Sequence, residues 1–167
     1  MSVRNLTVAA LLASAVLSPL AAQSKPDFSG SWKMNMEKSD PMGRMGGGGG
    51  GGGGGGMAMA PITITQSADK LVITSTRGDQ VTTATYNLDG SESVNPGMRG
   101  ETKSKVSWDG SSLVISSESS FNGPNGAMTV TSKEVRSLSA DGKTMTVVRT
   151  SQTPNGEMTR KTVFDKQ

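Results

Sequence analysis

The feature that most constrains this chain is a series of short β-type segments, separated by turn signals about every ten residues. Within each segment apolar side chains alternate with Thr, Ser or Lys, the period of a strand with one buried face. Asp-Gly and Asn-Gly pairs between segments supply the positive φ that tight hairpins require. The segments are 62–66, 71–76, 80–86, 102–108, 112–121, 127–138, 144–153 and 157–166.

A further strand opens the predicted fold at residues 27–33, with the sequence Asp-Phe-Ser-Gly-Ser-Trp-Lys. Alternation places Phe28, Gly30 and Trp32 on one face of it. We expect Trp32 to plug the closed end of a small barrel, and Gly30 to let another backbone approach closely. With this strand the chain contains about nine strands and no helix.

The inward-facing set is too thin for a solid core. The sequence holds only two Trp, one Tyr and three Phe. A sandwich with so few aromatic side chains would be loosely packed, whereas a barrel tolerates a partly empty interior. The predicted fold class is therefore all-β, a single antiparallel up-and-down β-barrel.

Two segments in the first third of the chain, residues 1–23 and 41–61, do not have a strand pattern. Residues 1–23 carry one Arg, an apolar run and then small residues, the layout of a secretory signal peptide. Residues 41–61 contain eleven consecutive glycines, Gly46 to Gly56, which predict a disordered loop. We therefore expect a barrel domain at 24–167 with a flexible insert at 41–61, secreted or periplasmic and without a transmembrane segment after signal cleavage.

Composition removes several classes of function. The sequence has no Cys and no His, so disulfides, thiolate nucleophiles, imidazole bases and the common zinc and haem ligands are excluded. The net charge of +3 is spread among acids rather than clustered, which predicts no nucleic-acid partner. No spacing singles out two carboxylates for acid–base catalysis. We predict a monomer that is not an enzyme, with no catalytic residues, no metal site and no cofactor.

The opening strand carries a family likeness. Residues 28–34, Phe-Ser-Gly-Ser-Trp-Lys-Met, resemble the Phe-x-Gly-x-Trp-Lys-Leu opening of the fatty-acid-binding proteins and the Gly-x-Trp of the lipocalins, which together form the calycin barrels. The order of the later segments, to the closing 163–166, is also similar. The likeness is to small secreted bacterial lipocalin-like proteins, and it implies a barrel that holds a small apolar or amphipathic molecule.

Two departures from the family pattern matter. The fatty-acid-binding proteins have a two-helix lid after the first strand, and the Gly/Met-rich segment stands in its place here. Their closing strand carries an Arg-x-Tyr pair that holds a ligand carboxylate, and the matching positions are Thr162 and Phe164. The family's carboxylate anchor is therefore not carried over.

Three arginines offer a different polar anchor. Arg149 shares parity with Met145 and Val147, Arg160 shares it with Met158 and Phe164, and Arg136 is in phase with Met128 and Val130. If this parity holds, guanidinium groups point into the barrel, where they suit a ligand carboxylate or phosphate. The alternatives are a position at the rim, pairing with Glu134 or Glu118, or a β-bulge at Val147–Val148 that would reverse Arg149.

These observations define a predicted binding role. Apolar side chains would line or close the interior and arginines would orient the ligand. The predicted ligand-binding residues are Trp32, Trp108, Met128, Arg136, Met145, Arg149, Arg160 and Phe164.

Two other functions stay open. The first is a structural or interaction module of the cell envelope with a filled core. The second is Cu(I) binding by the thioethers of Met42, Met45, Met57 and Met59. The tripeptide Arg77-Gly78-Asp79 matches an integrin-recognition motif in spelling, but it is interpreted as a turn between two strands.

Overall fold

The computed structural model describes residues 25–41, 61–97, 100–123, 126–153 and 156–167. Its elements are ten β-strands: β1 (Gly30–Asn35), β2 (Ile62–Gln66), β3 (Lys70–Arg77), β4 (Gln80–Asn87), β5 (Ser93–Gly97), β6 (Gly100–Asp109), β7 (Ser112–Gly123), β8 (Gly126–Leu138), β9 (Thr144–Thr153) and β10 (Gly156–Lys166). The predicted signal peptide and the thioether residues of the Gly/Met-rich segment lie outside the described residues. Within them, no helix is long and apolar enough to span a membrane.

All ten strands form one sheet in the order β4-β3-β2-β1-β10-β9-β8-β7-β6-β5. Every pairing is antiparallel, and the first strand pairs with the last through Trp32 opposite Lys166 and Met34 opposite Phe164. This is an up-and-down meander that curls into a nearly closed barrel. The predicted all-β architecture, a single antiparallel up-and-down barrel, is confirmed.

The expected count of about nine strands was one too low, because the sequence analysis missed β5. This strand reads Ser-Val-Asn-Pro-Gly and shows no alternation of apolar side chains. Pro96 cannot donate a backbone hydrogen bond, so it argues against a central strand. In the structure β5 stands at the edge of the sheet, where a proline is tolerated.

The turn signals were interpreted correctly. Arg77-Gly78-Asp79 forms the connection between β3 and β4, with Arg77 paired opposite Gln80 and Gly78 at a φ of +58°. Gly110 takes a φ of +57° in the connection between β6 and β7. Both positions require the left-handed region that glycine enters without steric cost.

The two edge strands, β4 and β5, meet through side chains instead of a backbone ladder. The Asn95 amide accepts from the Thr85 backbone N–H at 2.7 Å and donates to the Thr85 carbonyl at 2.9 Å. Ser93 Oγ accepts from the Asn87 backbone N–H at 2.8 Å. Asn95 is only 7% exposed, so one side chain supplies, in a sheltered setting, the two bonds that a neighbouring strand would make.

A hydrophobic core fills one end of the barrel. It gathers the start of β1, the end of β6, the start of β7 and the start of β9, and its largest fully buried side chains are Trp32, Phe28, Ile64, Leu71, Leu113 and Met145. Phe28 lies before β1 and packs against Trp108 of β6, with ring centroids 6.3 Å apart. Because β1 and β6 lie on opposite sides of the barrel, Phe28 closes this end together with Trp32.

The segment that carries Phe28 is held by Gln66. Its Oε1 accepts from the Phe28 backbone N–H, its Nε2 donates to the Pro26 carbonyl, and its own N–H donates to Ser29 Oγ, each at 3.0 Å.

Gly30 allows a close approach, as expected, but the neighbouring group is a side chain and not a backbone. A Cβ at Gly30 would come within 2.6 Å of Lys166 Cε, whose ammonium stands 5.3 Å from the Trp32 ring centroid.

A short strap after β1 completes the pairing of β10. Beyond the last β1 residue, Ser39 Oγ accepts from the Val163 backbone N–H at 2.9 Å, and an Asp40 carboxylate oxygen accepts from the Lys161 N–H at 2.6 Å. Asp165, on the same outer face, accepts from Asn35 Nδ2 at 2.6 Å and lies 3.5 Å from Lys38 Nζ. The Asn35 hydrogen bond, helped by the Lys38 charge, lowers the pKa of Asp165 below its usual 3.8.

We expect Asn95→Ala to lower the free energy of unfolding by about 1–3 kcal/mol, because two backbone groups of Thr85 lose their partner. Urea denaturation measures this loss, and hydrogen exchange should show faster exchange of the Thr85 amide. Val94→Ala, at an exposed position of the same strand, should stay within about 0.5 kcal/mol of the parent protein. Unchanged Thr85 exchange in Asn95→Ala would contradict the role given to this side chain.

The lowered pKa of Asp165 predicts a pH dependence of stability. A depressed carboxyl pKa stabilises the fold above the unfolded value of 3.8, and that contribution is lost as pH falls through the lower folded value. Asp165→Asn should therefore be less stable than the parent at neutral pH, and the difference should shrink as pH falls below 3.8. Thermal unfolding of both proteins from neutral to acidic pH measures it, and a constant difference would contradict this account.

Candidate functional site

The inner face of strands β8, β9 and β10 carries the charged residues that the sequence analysis singled out. The ladder runs without interruption through Val147, opposite Arg136 and Thr162, and Val148, opposite Val135 and Lys161. No β-bulge therefore reverses Arg149, which keeps the parity of the buried Met145 and Val147.

These strands border a cavity of about 510 Å³ that is partly open to solvent on the side of the exposed Arg149 and Met158. Its wall combines apolar side chains with three arginines and one glutamate. The lining residues are Val130, Glu134, Arg136, Val147, Arg149, Ser151, Met158, Arg160, Thr162 and Phe164. The volume falls within the range of about 300–1,000 Å³ that is typical of small-molecule sites.

Arg136 is the one arginine of this wall that has a carboxylate partner in the described structure. Its Nε and one terminal nitrogen both lie 2.6 Å from Glu134 Oε1, and the two side chains are 9% and 17% exposed. A second terminal nitrogen points at Met145 Sδ, 4.0 Å away. The pairing alternative considered from the sequence therefore holds for Arg136, with Glu134.

Arg149 and Arg160 lack such a partner. Arg149 donates one hydrogen bond, 3.2 Å long, to Ser132 Oγ. Arg160 Nε is buried and has no hydrogen-bond partner among the described residues. Within the described chain no carboxylate comes within 4.0 Å of either guanidinium. Three positive groups against one negative group leave the cavity wall with two uncompensated positive charges.

A smaller cavity of about 170 Å³ adjoins the first and shares Glu134 and Arg149 with it. Most of its other lining is polar, including Asn95, Thr102, Ser104, Ser117, Ser132 and the phenol of Tyr86. Burial raises the pKa of Tyr86 above its usual 10.0, and the nearby Glu134 carboxylate acts in the same direction. Tyr86 is therefore a neutral hydroxyl at physiological pH and can donate or accept a hydrogen bond.

The predicted ligand-binding residues lie in the cavity wall, in the core, or, for Met128, in neither. Arg136, Arg149, Arg160 and Phe164 line the larger cavity. Trp32 and Met145 are fully buried in the core, and Trp108 packs against that core with a buried indole Nε1 that has no partner in the described structure. Met128 is half-buried and does not line either cavity. Ligand contact by these eight residues stays a prediction.

Sequence reasoning did not identify the polar residues of the smaller cavity. Tyr86 shares the parity of Ala84 in a strand whose first half is polar and exposed, so its inward direction had no apolar pattern to mark it. Asn95 lies in the missed strand β5. For Glu134 the sequence did hold a signal: it lies two residues from Arg136 on β8, so both side chains face the same side of the strand.

A third depression of about 740 Å³ follows strands β6 to β9. Most of its lining has the parity opposite to that of the internal cavities, and its charges are mixed: Lys103, Lys105 and Lys133 face Glu92 and Glu118. Lys103 Nζ is 3.7 Å from Glu92 in an exposed pair. With balanced charge and no apolar wall, this surface has less to offer a small molecule than the internal cavities.

No protein-family model matches the chain, and no curated protein matches it. Among solved structures, it is similar to a crystal structure of zebrafish ileal bile acid-binding protein complexed with cholic acid. The sequence identity is 21% and the TM-score is 0.48, over 64% of this chain and 72% of that chain.

We expect Glu134→Gln to destabilise the protein by about 3–5 kcal/mol in phosphate-free buffer, because it leaves a buried guanidinium unpaired. The double variant Glu134→Gln, Arg136→Met removes the orphaned charge and should recover most of this loss. Glu92→Gln, in the exposed pair with Lys103, is the matched control and should cost no more than about 1 kcal/mol. Urea denaturation of the four proteins measures these differences, and equal costs for the two glutamate variants would contradict the assignment.

Proposed function

We propose that this protein binds a small amphipathic anion inside the barrel, in a carrier or sequestering role. The observation that carries the proposal is the cavity of about 510 Å³ in which Arg149 and Arg160 have no carboxylate partner. Arg160 is half-buried with a buried Nε, and a guanidinium removed from water costs free energy unless an anion compensates it. Arg149 is exposed and adds a second positive charge at the same wall. A bound ligand with an anionic group would supply that compensation.

The remaining wall suits the apolar part of such a ligand. Val130, Val147, Met158 and Phe164 border the same cavity. Burial of apolar ligand surface contributes about 25 cal/mol per Å², and a few charge-assisted hydrogen bonds fix the orientation. Met158 is 62% exposed, which places the apolar wall partly at the rim and offers a flexible thioether surface to an entering ligand.

The proposed role is passive. Binding needs no bond to be made or broken, and the site contains groups that hold and orient a ligand. The signal-peptide pattern of residues 1–23 supports a secreted or periplasmic location, where such a protein would collect a ligand outside the cytoplasm.

Isothermal titration with dodecanoate below its micellar concentration tests the proposal. We expect one site per chain, and a loss of affinity of about tenfold or more in the Arg149→Met, Arg160→Met double variant. Methionine has a similar length and no charge, so the unliganded double variant should be at least as stable as the parent. Lys105→Met, outside the two internal cavities, is the control and should bind like the parent.

Absence of binding by dodecanoate and by other amphipathic anions would overturn the proposal. The structural module with a filled core would then be the better description. Equal binding by the parent and the double variant would show that the ligand lies elsewhere.

A further inference from the structure

The geometry of the two unpaired arginines points to the kind of anion that they hold. Arg149 and Arg160 are direct cross-strand partners in the β9–β10 ladder, and both side chains project into the same cavity. Side chains that face each other in this way have Cβ atoms about 4.5–5.5 Å apart, and like charges in this position repel each other. Arg149 is exposed and Arg160 is half-buried, so negative charge placed between them would lower their mutual repulsion.

The protein itself does not provide that charge. Glu134, the carboxylate in the cavity wall, is a cross-strand neighbour of Arg149, yet its Oε1 is engaged by Arg136 at 2.6 Å. Arg149 reaches the neutral hydroxyl of Ser132, and Arg160 Nε has no partner within the described structure. The phenol of Tyr86, on the opposite side of the barrel, is neutral because burial raises its pKa.

This arrangement indicates the charge and the number of oxygens of an anion that would suit both arginines. One carboxylate has a single negative charge and two oxygens, which one guanidinium satisfies in a bidentate contact. A phosphate monoester carries about −1.5 to −2 charges at neutral pH and has three acceptor oxygens. It can therefore bridge two guanidiniums and match both of their charges.

We propose that the preferred ligand is a phosphate monoester with an apolar tail, bridged by Arg149 and Arg160. This inference rests on the proposed function and narrows it to one class of head group. The tail lies along Val130, Val147, Met158 and Phe164, while the ion pair of Arg136 and Glu134 stays intact beneath the head group.

The test compares dodecyl phosphate with dodecanoate by isothermal titration, each below its micellar concentration. We expect dodecyl phosphate to bind about tenfold more tightly or better at pH 8, because it engages both arginines. Its affinity should fall severalfold at about pH 5, where the second phosphate ionisation is lost. The dodecanoate titration at both pH values reveals any change that comes from ionisation of the protein.

Single variants separate the bridge from a one-arginine contact. Arg149→Met and Arg160→Met should each reduce the preference for dodecyl phosphate over dodecanoate to about threefold or less, since each leaves one guanidinium. Inorganic phosphate tests the head group without the apolar tail. It should compete with dodecyl phosphate only at concentrations at least about a hundredfold higher. Competition at equal concentration would contradict the claim that the ligand has an apolar tail, and it would indicate a site for the free phosphate ion.

The outcomes separate this inference from the function on which it rests. Equal affinity for the two amphiphiles, lost in the double variant, would overturn the phosphate preference and leave the proposed function standing. Binding of neither amphiphile would overturn both. A preference for dodecyl phosphate that survives both single variants would overturn the bridging role of the two arginines.

Discussion

The pairing of the first strand with the last is the interaction on which the rest of this barrel depends. β1 is short, and yet it pairs with β10 on one side and β2 on the other, so it joins the strands that directly follow the Gly-rich segment to those at the end of the chain. Without it the meander would have two more exposed edges, and Trp32 would lose Lys166 as a neighbour. The strap at Ser39 and Asp40 extends this closure along β10 after β1 itself has ended.

Closure divides the interior into two environments with different energetics. At one end large side chains are packed around Phe28 and Trp32, both of which are fully buried. Higher along β8, β9 and β10 the inward positions are occupied by Arg136, Arg149 and Arg160. A chain with so little apolar volume cannot fill both halves, and its charges occupy the half that the core does not reach.

Much of this could be predicted from the sequence because it follows from the two-residue period of a strand. The parity of Arg149 with Met145 and of Arg160 with Phe164 left an inward and a rim position open, and the structure places both residues in the cavity wall with Arg149 exposed. The turn glycines also followed from local rules, since a positive φ is a property of a few adjacent residues. These features depend on neighbours within one strand or one hairpin.

The features that escaped prediction depend on residues distant in sequence. β5 is a strand because it pairs with β6, and its Asn95 side chain takes the place of a backbone partner for Thr85 of β4. No local pattern in Ser-Val-Asn-Pro-Gly predicts either contact. Gln66 holds the segment before β1 across 38 residues of chain. The approach to Gly30 comes from Lys166, at the opposite end of the sequence. Tertiary contacts of this kind determine local structure where the sequence has no clear strand propensity.

The buried Nε of Arg160, which has no partner in the described structure, lowers the stability of the fold, and the core at the other end of the barrel offsets that loss. Arg160 is half-buried, whereas Arg149 is exposed. Buried charge without a partner destabilises a fold, and an apolar residue at position 160 would remove that penalty. Arg136 shows that this wall can neutralise a guanidinium, since Glu134 stands two residues away on the same strand. Arg149 and Arg160 have no such provision in the described chain, although Ser151 and Thr162 lie two residues from them on the same inner face, positions from which an acidic side chain would reach. Within the described chain neither guanidinium has a carboxylate within 4.0 Å, and we propose that a negatively charged ligand compensates them.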